Sequence, residues 1–278
     1  MKPKHLHTIA QTLDIIQRGQ YKNAEGNIIS IDEAQQKAEQ GSRAWLPEEL
    51  DSLAGQPFEA RTAQTKFEVH NETTFEAAYR AHQAGAQQIG ALNFASARNP
   101  GGGVLRGTVA QEEDLARSSG LYPCLAQMKD HYRHHRRHRL ALYTDRMIYS
   151  PGVPVFRDAA NQLLPDWYPA SIITSAAVNV NALRQNNPER LAEVPAVMRL
   201  RTKKVLALAA YHHIDTLILG AWGCGVFKQE PKDVAGYFAE LLIDGPFRNI
   251  FPQVVFAVLD RSKEERYVGP FRERFAGA

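Results

Sequence analysis

Two short stretches of the sequence combine residue types that could carry out acid–base chemistry on a phosphorylated ligand. The first is a run of three glycines at positions 101–103. Because glycine has no Cβ, the backbone N–H groups of such a loop can come close to a bulky anion. After seven further residues the chain carries a carboxamide, Gln111, and two carboxylates, Glu112 and Glu113. The pair of stretches predicts a phosphate-binding loop beside acid groups, although a surface turn before an acidic helix start has the same composition.

The two adjacent glutamates favour a mechanism with a single acid–base residue. Consecutive positions lie on different faces of a helix, so we expect only one carboxylate to reach a given reacting atom. The usual pair of glycosidase carboxylates stands about 5–10 Å apart on opposite sides of the sugar, which neighbouring residues cannot supply. One partly buried glutamate could instead protonate the leaving oxygen and then activate water, while its neighbour holds a ribose hydroxyl.

A second glycine-rich loop follows another predicted strand. Residues 220–227 read Gly-Ala-Trp-Gly-Cys-Gly-Val-Phe and lie between an apolar run at 216–219 and a predicted helix from Pro231. A strand, a loop and a helix in this order direct backbone donors and the helix dipole at an anion. Neither glycine loop has the Walker A or the G-x-G-x-x-G pattern. Two such loops suggest a ligand with an extended diphosphate.

The elements that must position these loops alternate between strand and helix from Phe67 onward. This alternation predicts an α/β fold of three layers, with ligands bound at the carboxyl ends of the strands. A long helix is expected at 195–212. Apolar runs indicate strands at 67–70, 89–94, 147–149, 153–156, 171–174, 216–219 and 254–259.

The sequence pattern of the N-terminal region predicts that residues 1–60 form a helical extension. We expect this extension to pack on a main domain formed by residues 61–278. Apolar residues at helical spacing precede Gly19, and a capping-box pattern begins a second helix at Ser30. Residues 51–56 have the composition of a linker. We therefore expect the first sixty residues to be accessory to the sheet.

Composition excludes several classes of protein. No run of about 18 apolar residues is present, so we expect no membrane span. The first residues lack the apolar segment of a secretory signal. The two cysteines, Cys124 and Cys224, provide no disulfide framework, which predicts a cytoplasmic protein. We predict no cofactor and no metal.

The net charge of +3 comes from one segment, residues 129–139, whose local excess is +4 from five Lys and Arg against one Asp. His131 with His135, and His134 with His138, have the i,i+4 spacing of metal ligands on a helix, but the arginines disfavour a cation. We predict a solvated basic surface whose charge rises as the pH falls through the histidine range. Contact with a polyanion through this segment is the alternative.

Cys224, Trp222 and Lys204 could each have a functional role, but a structural role explains each of them. Cys224 lies in the second glycine loop, but the sequence places no base beside it that could activate a thiol nucleophile. We expect it to fill a tight loop, and we expect Trp222 to pack. Lys204 has the spacing of a solvated helix face.

The spacing of three glycines, seven residues and Gln-Glu-Glu resembles the signature of the microbial-type poly(ADP-ribose) glycohydrolases. The surrounding residues strengthen the resemblance, which covers roughly residues 8–260. They are Asn99-Pro100 before the glycines, residues 115–119 after the glutamates, residues 149–158, and the loop 220–227.

This resemblance implies a macrodomain-like fold with a mixed central sheet that binds ADP-ribose. It also implies metal-independent hydrolysis of the ribose–ribose bond of poly(ADP-ribose), from chain ends. Glu113 matches the catalytic acid of the family, and Glu112 and Asn99 match groups that hold the riboses. Phe227 matches an aromatic residue that orients the terminal ribose. The other predicted binding residues are Gly101, Gly102, Gly103, Val104, Gln111, Gly223, Cys224, Gly225 and Val226.

Two other functions stay open at this point. A hydrolase of the same fold could release ADP-ribose from a DNA base or a protein side chain, and the basic segment could dock DNA. A non-catalytic ADP-ribose-binding module would need the glycine loops but not the acid, and the two glutamates argue against it. Release of ADP-ribose from polymer, compared with release from ADP-ribosylated DNA, separates these functions.

Overall fold

The computed structural model describes residues 2–278, and Met1 lies outside the described residues. Its helices pack on both faces of a central β-sheet. The strands are β1 (Gln20–Lys22), β2 (Ile28–Ser30), β3 (Arg43–Trp45), β4 (Lys66–His70), β5 (Ile89–Phe94), β6 (Met147–Arg157), β7 (Leu163–Ser175), β8 (Thr216–Leu219) and β9 (Gln253–Ala257).

Helices occupy most of the chain between these strands. Two short segments, Val104–Arg106 and Pro188–Glu193, form 3₁₀ helices. The α-helices are α1 (Lys2–Arg18), α2 (Asp32–Gly41), α3 (Pro47–Ala54), α4 (Thr74–Gln83), α5 (Gln111–Ser118), α6 (Leu121–Ala126), α7 (Lys129–Arg137), α8 (Val180–Asn186), α9 (Val194–Tyr211), α10 (Pro231–Leu242) and α11 (Gly269–Phe275).

The central sheet has seven strands within residues 2–278, in the order β3-β6-β7-β5-β8-β9-β4. Strand β5 pairs in parallel with both β7 and β8, whereas β6 runs antiparallel to its neighbours β3 and β7. The carboxyl ends of β7, β5 and β8 therefore meet at one edge, where ligands of such sheets bind. The predicted three-layer α/β fold with a mixed central sheet is confirmed.

The two faces of the sheet pack into separate hydrophobic cores. Consecutive residues of β7 show this, because Ile172 belongs to one core and Ile173 to the other. Both side chains are fully buried, as expected of a strand that is covered on both faces. One core packs against α3, α9, α10 and α11, and the other against α2, α4, α5 and α6.

The N-terminal region agrees only in part with the prediction. Helix α1 ends before Gly19, which has a φ of +68°. Residues 51–56 are not a linker, because residues 47–54 form α3, with Leu50 and Leu53 buried in a core. Strand β3 pairs with β6 and adds an edge strand to the central sheet, so this region contributes to the sheet itself. The division of the chain at residue 60 stays a prediction.

The start of the second helix also differs from the prediction. Ser30 does not cap α2, because it is the last residue of β2 and Ile31 occupies the N-cap position without a side-chain hydrogen bond. The backbone N–H of Ile31 instead donates to the carbonyl of Gly19 at 2.8 Å. This contact joins the end of α1 to the start of α2.

Lys204 is not on a solvated helix face. Its Nζ lies 2.7 Å from Asp145 and 2.7 Å from Asp51, and the residue is 1% exposed. The adjacent turn of α9 buries Arg201, which pairs with the other oxygen of Asp145 at 2.8 Å. Although burial raises the pKa of Asp145, the two cations bring it below the usual value. Lysine and arginine are buried here because a carboxylate pairs with them.

Among the helices that the structure describes, none is long and apolar enough to cross a membrane.

Candidate active site

Gln111 fixes the helix that carries the two glutamates to the end of β5. Its carboxamide oxygen accepts the N–H of Phe94 at 2.9 Å. Its nitrogen donates to the carbonyl of Leu92 at 2.8 Å and to the hydroxyl of Thr74 at 3.0 Å. The side chain of this predicted binding residue is therefore directed toward β5 and α4.

Glu113 lies in the first turn of α5 and is held by the glycine loop. One carboxylate oxygen, Oε1, accepts the backbone N–H of Gly103 at 2.7 Å. The other oxygen, Oε2, accepts no hydrogen bond from the residues that the structure describes, and the residue is only 6% exposed. Glu113 is thus fixed through one oxygen and keeps the other for a ligand.

Glu112 is more deeply enclosed than Glu113. It is 3% exposed, and its Oε2 accepts the backbone N–H of Ser96 at 2.6 Å. Its Oε1 is buried without a hydrogen-bond partner in the described part of the chain. Burial and the nearby charge of Glu113 raise the pKa of Glu112 well above its usual value, although the hydrogen bond from Ser96 opposes the shift. Burial thus favours the neutral form of this carboxyl group, which can donate a hydrogen bond to a ligand.

A glycine is required at position 102 by the close approach of these two carboxylates. At Gly102, with a φ of +61°, a Cβ would lie 2.5 Å from Oε1 of Glu113 and 2.9 Å from Oε2 of Glu112. At Gly103 a Cβ would overlap with Thr108. Both carboxylates therefore lie against the same glycine, and the expectation that only one of them reaches a given reacting atom stays a prediction. Their side chains reach back from the first turn of the helix to the preceding loop.

The backbone donors of the first loop are mostly used within the protein. The N–H of Gly102 donates to the carbonyl of Asn99, and that of Gly103 donates to Glu113. Val104 donates its N–H to Gly101 and buries its side chain completely. The predicted phosphate cradle at this loop is instead a cradle for the two glutamates. Asn99 is exposed, and within residues 2–278 its side chain has no hydrogen-bond partner.

The second glycine loop, residues 220–227, is anchored on the end of β7. The indole of Trp222 is completely buried and donates to the carbonyl of Ser175 at 3.1 Å. Gly223, with a φ of +78°, packs so closely on the strand that a Cβ would lie 2.6 Å from that of Ala177. Gln229 donates to the carbonyl of Val178 at 2.9 Å. The loop is therefore fixed at both ends.

The middle of the second loop presents free backbone donors. The N–H groups of Gly225, Val226 and Phe227 make no hydrogen bond within residues 2–278. A Cβ at Gly225 would have no atom within 4 Å, and Val226 is 73% exposed. Successive free N–H groups in a turn form a concave anion site. This loop therefore has the properties of a diphosphate site.

Cys224 is a structural residue of the second loop. It is 3% exposed, and its N–H donates to the carbonyl of Ala221 at 3.1 Å. Burial raises the pKa of its thiol, which disfavours the thiolate that a nucleophile requires.

Aromatic residues connect the two loops along one rim. The ring of Phe227 lies 6.0 Å from that of Tyr143, and the guanidinium of Arg98 lies 6.0 Å from the same tyrosine. Tyr143 has a φ of +57°, an unusual backbone conformation for a residue other than glycine. Arg201 fixes this segment by donating to the carbonyls of Leu142 and Ala176 at 3.0 and 2.9 Å. Sequence reasoning missed Tyr143 because no periodic pattern surrounds it.

The histidines of α7 are not all part of a solvated surface. His131 is 4% exposed and His135 is 1% exposed, and their rings lie 4.8 Å apart. Burial lowers the pKa of His131 to about 3 and that of His135 to about 4. The predicted rise of charge through the histidine range is therefore wrong for these two residues. Among the described residues there is no group of three His, Cys, Asp or Glu that could hold a metal ion.

Comparison with known proteins identifies the family to which this chain belongs. The family model described as "Microbial-type PARG, catalytic domain" matches residues 10–158. The structure is similar to that of poly(ADP-ribose) glycohydrolase from Thermomonospora curvata, with 44% identity, a TM-score of 0.94, and coverage of 98% of this chain and 99% of that one. The chain belongs to the microbial-type poly(ADP-ribose) glycohydrolases, which are glycosidases.

Two structures with bound ligands are also similar. The T. curvata enzyme bound to the inhibitor ADP-HPD is 44% identical, with a TM-score of 0.92 and coverage of 98% and 99% of the two chains. The enzyme from Deinococcus radiodurans in complex with ADP-ribose is 45% identical, with a TM-score of 0.82, and 87% of this chain and 97% of that one are covered. Comparison with the curated proteins gave no match.

The glycine loop predicts the effect of adding one methyl group. In Gly102→Ala the new Cβ displaces both carboxylates, and a misplacement of about 1 Å costs about 100-fold in turnover. We expect kcat on poly(ADP-ribose) to fall by about that factor in a protein that still folds. The control is Gly236→Ala in α10, where a Cβ would have no atom within 4 Å. Equal kcat values for the two variants would contradict the role of the loop.

The burial of Glu112 predicts a stability that depends on pH. Because its pKa is higher in the folded than in the unfolded protein, folding retains a proton that the unfolded chain loses above about pH 4.5. Relative to wild type, Glu112→Gln should gain unfolding free energy as the pH rises above about 4.5 toward the raised pKa of the folded protein, by at most about 1.4 kcal/mol per pH unit. Urea unfolding at several pH values measures this gain. The exposed Glu25→Gln is the control, and a gain that does not change with pH would refute the interpretation.

Proposed function

We propose that this protein hydrolyses the ribose–ribose O-glycosidic bond of poly(ADP-ribose) from chain ends and releases ADP-ribose. The observation that carries the proposal is the arrangement of Glu113. One of its oxygens is fixed by the N–H of Gly103, and the other has no partner among the described residues. A buried, oriented carboxyl group with one free oxygen suits proton transfer to and from a bound sugar.

In the proposed reaction, Glu113 serves first as an acid and then as a base. Its proton goes to the oxygen of the leaving ribose as the bond from that oxygen to the anomeric carbon breaks. The bonding electrons leave with this oxygen, and the remaining ribose acquires oxocarbenium character. Water attacks the anomeric carbon and returns a proton to the Glu113 carboxylate. The products are ADP-ribose and a polymer shorter by one unit.

The substrate is held by the two loops in different ways. We assign the diphosphate to the free N–H groups of Gly225 and Val226, and the terminal ribose to the ring of Phe227. Glu112 and Asn99 hold ribose hydroxyl groups. The unpartnered Oε1 of Glu112 supports this assignment, because a buried polar atom without a partner is costly. Gln111 acts as a positioning residue that keeps α5 in place.

End-labelled poly(ADP-ribose) tests this proposal. We expect monomeric ADP-ribose as the first product, without oligomers, and the same rate in the presence of EDTA because no step uses a metal. Chromatography of early time points separates monomer from oligomers. Early oligomers would show internal cleavage, and inhibition by EDTA would refute a metal-independent reaction. Release only from ADP-ribosylated DNA or protein would contradict the proposed substrate. Binding of ADP-ribose without any release would contradict the proposed activity and indicate a non-catalytic binding module.

The exposed face of α7 is proposed to contact the polymer beyond the unit that is cleaved. Arg133, Arg137 and Arg146 line a surface cavity of about 440 Å³ with His134, His138 and Asp130. The Nε of Arg146 is buried there without an acceptor in the described residues. Arg136 donates to the carbonyl of Arg98 at 2.8 Å, which places α7 next to the first glycine loop. Phosphates of a polymer that leaves the active site suit this surface.

The double variant Arg133→Gln/Arg137→Gln tests this surface. We expect weaker binding of long polymer, unchanged binding of ADP-ribose, and a salt dependence whose slope falls by about one for each phosphate that the variant no longer binds. Fluorescence anisotropy of labelled polymer at several salt concentrations measures this slope. Arg248→Gln/Arg274→Gln removes the same charge from exposed positions and is the control. Equal weakening by both double variants would contradict a specific surface.

The two cysteines support the proposed cytoplasmic location. Cys124 and Cys224 are both buried free thiols. Free thiols are stable in a reducing compartment.

A further inference from the structure

A second basic cavity lies away from the two glycine loops, between α1, β1 and the turn that joins β6 to β7. Its volume is about 430 Å³, within the range of small-molecule sites of about 300–1,000 Å³. Lys4, His7 and Lys22 line it, together with Arg157 at the end of β6. None of the described residues that line it is an aspartate or a glutamate. The cavity therefore has a positive potential.

Arg157 is buried beside this cavity without a carboxylate partner. It is 4% exposed, its Nε donates to the hydroxyl of Thr12 at 3.1 Å, and its Nη1 donates to the carbonyl of Asn161 at 2.9 Å. Both acceptors are neutral. Within residues 2–278, Arg157 forms no ion pair and its Nη2 has no acceptor. The carboxylate of the next residue, Asp158, accepts the N–H of Gln162 at 2.7 Å and acts on Arg157 through its charge, without forming an ion pair.

The other arginines that are equally buried have acidic partners. Arg201 is 1% exposed and pairs with Asp145 at 2.8 Å. Arg117 is also 1% exposed and lies 3.5 Å from Asp114. A buried guanidinium without a counter-charge is strongly unfavourable. Arg157 is thus the exception among the buried arginines that the structure describes, since it forms no ion pair with a carboxylate, and an anion in the adjoining cavity would provide that contact.

We propose that this cavity is a second anion site, which binds a phosphate or diphosphate group between Arg157 and the ammonium groups of Lys4 and Lys22. The planar guanidinium offers its free Nη2 from a fixed position, since Thr12 and Asn161 hold the rest of the group. Both lysines are exposed and form no ion pair in the described structure, so they can close on a bound anion. The anion comes either from free phosphate or diphosphate, or from an ADP-ribose unit.

Calorimetric titration with inorganic pyrophosphate tests this site while ADP-ribose saturates the active site. We expect one pyrophosphate to bind per chain at this site unless a second ADP-ribose already occupies it, and Lys4→Gln/Lys22→Gln to weaken the binding at least five-fold. Both lysines are exposed, so this variant should fold normally. The control is Lys232→Gln/Arg274→Gln, which removes two exposed charges elsewhere and should leave the affinity unchanged.

Titration with ADP-ribose alone separates the two sources of the anion. A stoichiometry of two, reduced to one in Lys4→Gln/Lys22→Gln, would identify an ADP-ribose unit as the ligand. A stoichiometry of one, with pyrophosphate bound in addition, would identify the free anion. Absence of pyrophosphate binding together with a single ADP-ribose would overturn the proposal. Equal weakening in the control double variant would also overturn it, because binding would then follow net charge alone.

Discussion

The site depends on one constraint, which is that two neighbouring carboxylates must be buried against a loop without side chains. Glu112 and Glu113 both reach Gly102, where a Cβ would lie within 3 Å of each. The N–H groups of Gly103 and Ser96 donate hydrogen bonds to these acids and offset part of the cost of burying them. The cost is visible in the raised pKa of Glu112. Unfavourable buried arrangements of this kind are typical of functional sites.

Other buried polar contacts keep the elements around this constraint in register. Gln111 attaches the start of α5 to the edge of β5, so the glutamates move only with the sheet. On the opposite face, Arg201 joins α9 to the segments at 142 and 176, and Asp145 compensates its charge together with that of Lys204. A rigid sheet edge with polar clamps on both faces can hold catalytic groups to a fraction of an ångström.

Local patterns predicted the fold, whereas long-range pairing could not be predicted. Apolar runs identified β5 and β8, and the chemistry of the loops after them pointed to an anion. Lys204 was misassigned because its partners, Asp51 and Asp145, are far away in the sequence. The same reason applies to the burial of His131, since nothing local shows which face of α7 is covered. The run of glycines correctly predicted that other groups come close to the backbone of this loop. In the structure these groups are the carboxylates of Glu112 and Glu113.

The most direct test of the account compares turnover with binding in Glu113→Gln. The amide oxygen can still accept the N–H of Gly103, so the loop is preserved while proton transfer is lost. We expect the Kd for ADP-ribose to stay within about three-fold of wild type and kcat on poly(ADP-ribose) to fall by about 100- to 10,000-fold. The exposed Glu189→Gln is the control. Turnover near the wild-type rate, or equal losses of binding and turnover, would contradict the assignment of Glu113 as the acid and base.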